Sequence, residues 1–339
     1  MRKEVILITG ANGEIGHGLI SYLAQNSSTP ILALDIQPLD EAMTKLCSRF
    51  ILGDIMDQML LGRLVGEYEI TTIYHLASIL STKAEYNPET AHRINVEGTL
   101  NLLRMAVEQS QWQNNPVKFI YPSSIAAYGF PTVSEKMAAG KVNEDQWCFP
   151  TTMYGCNKLY CEHLGRYYSR HYKQLASGDT YENHVDFRCL RFPGLISAFT
   201  TPTGGTSDYG PEMLHHAAAG EDYKCFVRPD TILPFMVMPD AVKSLVLLEN
   251  ATRESLTQLV YNVTSFSPTA QDFHNYVLKA FPNANITFVP DKKRQAIVDS
   301  WPADLDDSAA RADWMWSPDF DEAESFNNYL IPVIRERYK

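Results

Sequence analysis

Tyr154 and Lys158 stand four residues apart in "YGCNK", so on a helix the phenol and the ammonium share one face. An unperturbed tyrosine has a pKa of about 10 and is a poor base at neutral pH. A fixed positive charge beside it stabilises the phenolate and brings the group toward useful basicity. Earlier in the chain, "YPSSIAAYG" places Ser123 and Ser124 at the end of a strand, where a hydroxyl can hydrogen-bond the substrate oxygen whose proton Tyr154 removes. The chemistry open to this set is proton abstraction from an alcohol. A lone Tyr-x-x-x-Lys is also what an amphipathic helix produces, so the pair draws its meaning from its surroundings.

A second cluster can hold a phosphate. In "TGANGEIG", Thr9 to Gly16, Gly10 permits a tight turn, Gly13 lets the backbone approach a pyrophosphate, and Gly16 allows close helix-strand packing. The helix that follows offers free N–H groups to the anion. Asp35 closes "ILALDI", where a carboxylate can accept from both hydroxyls of an adenosine ribose and would repel a 2′-phosphate, favouring NAD over NADP; the bland alternative is a surface aspartate. Asp54 in "GDI" can meet an adenine amino group. "HLAS", His75 to Ser78, is small enough to pass beneath a cofactor. Asn95, inside "INVEGTLNLL", can tie a helix to the sheet or support a water relay.

These residues need a scaffold, and the chain supplies one. Apolar runs ("VILITG", "ILALDI", "TTIYHLAS", "VKFIYPSS") alternate with helical stretches at Ile15 to Gln25 and Pro88 to Glu108, which predicts a parallel sheet covered by helices on both faces. A long helix is expected from Tyr154 to about Tyr172, then a buried strand in "VDFRCLRFPGLIS". Beyond it the pattern loosens, with Pro and Gly clustered between Pro193 and Pro239 and a strand candidate, "LVYNV". The fold expected is α/β: a Rossmann doubly wound parallel sheet over residues 1–190, including the Tyr/Lys helix. Residues 191–339 then form mainly a smaller substrate-binding lobe, with some segments returning to the sheet.

Composition bounds the partners. With 339 residues, 45% hydrophobic and 20% charged, the chain can build a full core without staples. A formal net charge of −11, spread along the chain, argues against nucleic acid and anionic membrane surfaces. No window approaches a membrane span, and the apolar run at the N-terminus ends in glycines without a cleavage site, so a cytoplasmic protein is expected. The six cysteines have no Cys-x-x-Cys spacing and the nine histidines are scattered; they read as reduced thiols and ordinary histidines, with no metal site.

Together "TGANGEIG", "GDI", "HLAS", "NVEGT", "PSSIAAYG" and "YGCNK" resemble an extended short-chain dehydrogenase/reductase, the group that includes UDP-galactose 4-epimerase. The match covers about the first 200 residues in order. The resemblance implies Tyr154 as general base, Lys158 lowering its pKa and holding a nicotinamide ribose, and Ser124 as the hydroxyl partner. It also implies an NAD site that takes in Asn12, Glu14 and Ile15 beside the glycines, Ile36 beside Asp35, and Ile55 beside Asp54. Leu76, Ala77, Ser78 and Asn95 complete the middle of that site, and Leu195 contacts the nicotinamide. Family members commonly pair as homodimers through the helices near Pro88 to Glu108 and Met153 to Tyr172.

The segment after Leu195 narrows the substrate. Sugar-nucleotide members need basic groups for a second diphosphate, and between Gly194 and Leu233 the chain offers only Lys224 and Arg228. "LRFPGLIS", "PTGGTSDYG", "CFVRPDTILPFMVMPDAV" and "DSWPADLDDSAARADWMW" are instead similar to the L-threonine 3-dehydrogenases of the short-chain type, almost along the whole chain. That resemblance implies NAD-dependent oxidation of L-threonine to 2-amino-3-oxobutanoate, with Ser78, Ser123, Ser124, Tyr154, Thr206 and Asp208 lining the substrate. In the loop "TPTGGTSDYG", Asp208 then pairs with the substrate ammonium or, alternatively, caps a helix starting near Pro211. A sugar-nucleotide epimerase or dehydratase and a non-catalytic NAD(P)-sensing protein are the competing functions; scarce bases weigh against the first, the intact Tyr154, Lys158 and Ser124 against the second. Two segments look longer than the family's usual connections, Val133 to Asp145 and Gln174 to His184, and both are expected to be surface excursions.

Overall fold

The computed structural model describes residues 2–176, 184–202 and 204–339. Its strands are, in chain order, β1 (Lys3–Thr9), β2 (Ile31–Asp35), β3 (Arg49–Leu52), β4 (Tyr68–His75), β5 (Val117–Ser124), β6 (Lys141–Val142), β7 (Val185–Phe192), β8 (Gly194–Ile196), β9 (Tyr223–Cys225), β10 (Phe235–Val237), β11 (Val260–Asn262), β12 (Ile286–Phe288) and β13 (Asp304–Leu305). Seven of them make one sheet in the order β11, β7, β5, β4, β1, β2, β3, parallel throughout. β7 is buried at every position, and the charges it carries are paired there, Arg188 with Asp186 and Arg191 with Glu162. This is the doubly wound sheet expected from the alternation of runs.

Helices Glu14–Asn26 and Met238–Asn250 cover one face of the sheet. Helices Gln58–Glu67, Gly98–Gln113 and Met153–Arg170 cover the other, each face closing its own apolar core. A third core, with Tyr209, Phe226, Phe235, Phe273 and Phe326, lies mainly among the elements after β8 and takes in Ile125, Tyr128, Phe130 and Val142 from earlier in the chain. The chain leaves β1 toward one edge and β4 toward the other, so the carboxyl ends of these neighbours open a crevice between them. No described helix is long and apolar enough to cross a membrane.

The expected helix from Pro88 runs as Pro88–His92, a π turn Arg93–Glu97, and Gly98–Gln113. The π turn carries Asn95, and such one-turn irregularities recur at functional sites. The catalytic-helix candidate spans Met153–Arg170. "LVYNV" supplies β11, the edge strand beside β7, and is one of the segments that return to the large sheet.

Val133 to Asp145 lies mostly at the surface, as expected, but three of its side chains anchor it to the interior. It folds as helix Val133–Ala139 and then β6, which pairs with β13. Lys136 is buried and donates to the carbonyl of Val298, and Val142 and Glu144 are buried as well. A charged stretch looks solvated when read in one dimension, but Glu144 accepts from the backbone N–H of Asn262 at 2.7 Å and so satisfies a buried donor. Of the second long segment, residues 177–183 lie outside the described residues.

Asn262 joins these pieces. Its side chain donates to Val142 and Asp306 carbonyls (2.9 and 3.3 Å) and accepts from the Tyr128 hydroxyl at 2.7 Å. Asn262→Ala takes a partner from two carbonyl acceptors and a hydroxyl donor on three segments, so we expect a loss of unfolding free energy of about 1–3 kcal/mol with the urea slope unchanged. Equilibrium urea unfolding checks it.

Candidate active site

The crevice is walled by turns that leave β1, β2, β4 and β5. Gly10 has φ +68°, and a Cβ there would stand 2.5 Å from the backbone nitrogen of Ala77, so only glycine lets the two turns touch. Gly13 occupies the N-cap of helix Glu14–Asn26 without a side-chain cap, which leaves the first N–H groups of Glu14, Ile15 and Gly16 facing the crevice. Asp35 accepts from the backbone N–H of Asn12 at 2.9 Å and of Gln37 at 2.8 Å. Its carboxylate is thereby oriented and keeps lone pairs for a diol. This cradle fits a dinucleotide: donors for a pyrophosphate, a carboxylate for a ribose, and no room that a side chain has taken.

Other predicted cofactor residues fall around the same crevice with distinct parts. Asp54 is exposed and accepts from the N–H of Met56, while Ile55 is buried and Ile36 exposed. Asn95 is buried and clamps the chain beyond β4, accepting from the Ile79 N–H at 2.7 Å, donating to its carbonyl at 3.0 Å, and accepting from the Ser78 hydroxyl at 3.2 Å. Of the two roles open to Asn95, these bonds are those of a tie. Leu195 sits in β8 against the apolar core of the sheet.

His75 organises the floor. Its Nε2 meets Thr99 at 2.9 Å, and Thr99 spends its own proton on the Asn95 carbonyl at 2.6 Å, so the ring donates from Nε2 and accepts at Nδ1 from Thr9, also at 2.9 Å. Burial, and then the charge of Lys158, push the ring's pKa down to about 3. It is a neutral strut.

Tyr154, Lys158 and Ser124 are brought together where helix Met153–Arg170 meets the end of β5. Thr152 caps that helix through the Gly155 N–H at 3.1 Å, and Glu85 accepts from the Met153 N–H at 2.7 Å. Gly155 makes the approach possible: a Cβ there would lie 2.0 Å from the Ala126 carbonyl oxygen in the turn that follows Ser124. Burial raises the Tyr154 phenol well above its ordinary value, and a hydrogen bond with Ser124 acts against that rise. The Lys158 ammonium, buried and 5.5 Å from the Tyr154 ring, donates to the Pro122 carbonyl at 2.6 Å. Burial brings its pKa down to about 8, with Cys161, Cys189 and Glu162 opposing the fall. In this state Lys158 anchors to the strand end and Ser124 is the partner of the phenol.

The two serines part company. Ser124 stays half-buried beside Tyr154, while the Ser123 hydroxyl points away into the core and donates to Glu162 at 2.5 Å. Ser123 is therefore corrected from a substrate-binding residue to an interior one: successive side chains of a strand take opposite faces.

The polar loop lies across the crevice. Helix Tyr209–Ala219 starts right after Asp208, whose carboxylate makes no cap bond and instead accepts from the Gly205 N–H at 2.6 Å. Its other oxygen has no hydrogen bond among the described residues. Desolvation in the mouth of the cleft, and after it the negative charge of Asp208, raise the Glu14 carboxyl to about 7, which puts these two groups within electrostatic reach. Glu14 also accepts from Thr200. The Thr206 hydroxyl donates to Ser81 at 3.1 Å, and Thr82 donates to the Gly204 carbonyl at 2.9 Å. Ser81, Thr82, Glu85 and Glu162 escaped the sequence reading. For Glu162 a signal existed, since Tyr154, Lys158 and Glu162 repeat at four-residue intervals on one helical face.

Comparison with known proteins is decisive at this point. Residues 6–264 match the model of the NAD dependent epimerase/dehydratase family. The chain belongs to that family. Within it, the chain is 35% identical over 329 residues to mitochondrial L-threonine 3-dehydrogenase of Bos taurus, covering 97% of this chain and 82% of that protein. Among solved structures, a monomeric L-threonine 3-dehydrogenase from a metagenome is 33% identical with a TM-score of 0.85, covering 99% of this chain and all of that one (100%). L-threonine dehydrogenase from Phytophthora infestans is 34% identical with a TM-score of 0.83, covering 98% of this chain and 99% of the other.

The family's crevice depends here on a histidine that stays neutral when folded. Unfolded, His75 takes a proton near its ordinary value of about 6.5; folded, it refuses one until about 3. Stability therefore falls as pH drops through that window. We expect the fall of Tm between pH 6.5 and pH 4 to be shallower in His75→Gln than in the parent, as calorimetry across that range would register.

Proposed function

We propose that this protein oxidises L-threonine to 2-amino-3-oxobutanoate with NAD. The observation that carries the reading is the meeting of Ser124, Tyr154 and Lys158 at the mouth of a glycine-walled crevice, in a chain that aligns along its length with L-threonine 3-dehydrogenases. Gly10, Gly13, Gly16 and Asp35 would hold NAD, with residues 1–190 serving the cofactor and residues 191–339 mainly the substrate. When bound, NAD supplies the hydride acceptor.

The rest is done by the chain. Ser124 hydrogen-bonds the substrate hydroxyl and holds it against Tyr154, which removes its proton. Lys158, buried and able to carry its proton at neutral pH, supplies the positive charge that favours the phenolate. Asp208 has a carboxylate oxygen to spare for the substrate ammonium, and the closely packed turns keep water from the reacting atoms. A sugar diphosphate finds few free bases: of the two basic residues in this stretch, Arg228 is taken by Asp230 and Asp299, and Arg294, which reaches the loop from later in the chain, donates to the Gly205 carbonyl and lies over the Phe226 ring.

Two further parts of the proposal are a cytoplasmic setting, which six free cysteines suit, and a homodimer through the catalytic helix, which exposes Tyr160 and Tyr167. The metagenomic relative is described as monomeric, so support for pairing comes from this chain's own surface.

NADH formation with purified protein and a panel of amino acids tests the reading. Tyr154→Phe should bind NAD like the parent and lose about 10²- to 10⁴-fold in kcat; parental turnover in this variant removes Tyr154 from the role. Asp208→Asn should raise KM for threonine by more than about tenfold, the loss expected when one member of a desolvated charge pair goes, with NAD affinity unchanged. An earlier melting point with parental KM would make the loop structural instead.

A further inference from the structure

Behind the catalytic residues lies a buried polar assembly that the proton transfer itself does not use. Glu162, on the same face of the helix as Tyr154 and Lys158, receives three bonds: Ser123 at 2.5 Å, and Nε and a terminal nitrogen of Arg191 at 2.9 and 2.6 Å. Arg191 comes from β7, donates also to the Glu144 carbonyl at 2.8 Å, and lies 4.6 Å over the Tyr128 ring. Both members of the ion pair are almost wholly buried.

Two adjacent bonds therefore fasten the helix to the end of β5. Lys158 reaches back to the Pro122 carbonyl, and one turn further along Glu162 receives the hydroxyl of Ser123. The next residue on the strand is Ser124. Any slip of the helix along β5 would change the distance between Ser124 and Tyr154, and both fastenings resist such a slip. The bidentate guanidinium on the far side fixes the carboxylate's own rotamer, so the fastening has a rigid base.

We propose that Glu162, held by Arg191, is a positioning residue for the reaction: through Ser123 it sets the register of the catalytic helix on β5 and so the geometry shared by Ser124, Tyr154 and Lys158. The inference rests on the catalytic reading of those three residues. Glu162 has a second effect through charge, because it is a carboxylate facing Lys158. The other groups around Lys158 are Cys161 on its own helix, Cys189 on β7, His75 on β4, and the rings of Tyr121 and Tyr154. Among these side chains Glu162 is the one that carries a carboxyl group.

The test compares Ser123→Ala, which removes the fastening and leaves the ion pair, with Glu162→Gln, which weakens both. Full kinetics with NAD and threonine and a pH profile of kcat are the readouts, and Tyr154→Phe is run beside them. Ser123→Ala should lower kcat by about tenfold, as a small misplacement of reacting groups does, with KM for NAD within about twofold and the pH profile unmoved. Glu162→Gln should lower kcat at least as far and move the alkaline limb, where Lys158 loses its proton, down by about one pH unit. Should Glu162→Gln fail to fold, Ser123→Ala decides alone. Parental kcat in Ser123→Ala, with Tyr154→Phe inactive, overturns the positioning role and leaves the catalytic reading standing. Parental kcat in Tyr154→Phe overturns the catalytic reading first.

Discussion

The contact between two turns, at Gly10 after β1 and Ala77 after β4, is the constraint on which the rest of the molecule depends. Neighbouring parallel strands whose chains depart in opposite directions leave a gap at their carboxyl ends, and the width of that gap is set by how closely the departing backbones approach. Here they touch, because one partner has no Cβ and adopts a left-handed conformation. That contact aims the N-terminus of helix Glu14–Asn26 into the crevice and puts the Thr9 hydroxyl against His75. His75 passes the arrangement to Thr99, and Thr99 to the π turn that carries Asn95. The turn after β1, the end of β4 and the π turn are thus one hydrogen-bonded piece.

Sequence alone conveyed what depends on local pattern. Strands buried on both faces announce themselves as apolar runs, and glycines in a strand-turn-helix context announce a phosphate cradle, so β2, β5 and the Tyr/Lys helix were readable to within two residues, while β1 and β4 begin two and three residues before their apolar runs. Interior polar residues were not. Glu144 and Lys136 look like surface charges until the fold brings a backbone N–H and a carbonyl to them. Ser123 and Ser124 look interchangeable until the pleat of β5 sends one hydroxyl to the core and the other to the crevice. The partners that separate these cases lie 39 to 162 positions away in the chain, beyond any window of periodicity.

The same contrast separates the two sides of the crevice. The cofactor side is backbone-rich and rigid, its groups placed by turns that only glycine can make. The loop side is held by side chains: Ser81 and Thr82 join the loop to its neighbours through hydroxyls, and the Asp208 carboxylate braces it from within against the Gly205 N–H. Backbone recognition suits a ligand common to a whole family, whereas side-chain recognition can be altered one residue at a time.

The large sheet draws its outermost strand and one of its covering helices from late in the chain. β11 pairs with β7 only once residue 262 has been made, and helix Met238–Asn250 completes the apolar core that Ile6, Ile8, Ile20 and Leu23 share. During synthesis, therefore, the first two hundred residues emerge as an unfinished sheet with one face only partly covered, by helix Glu14–Asn26, and an unpaired edge at β7. Such a nascent chain keeps apolar surface and a strand edge exposed until three quarters of it has been made.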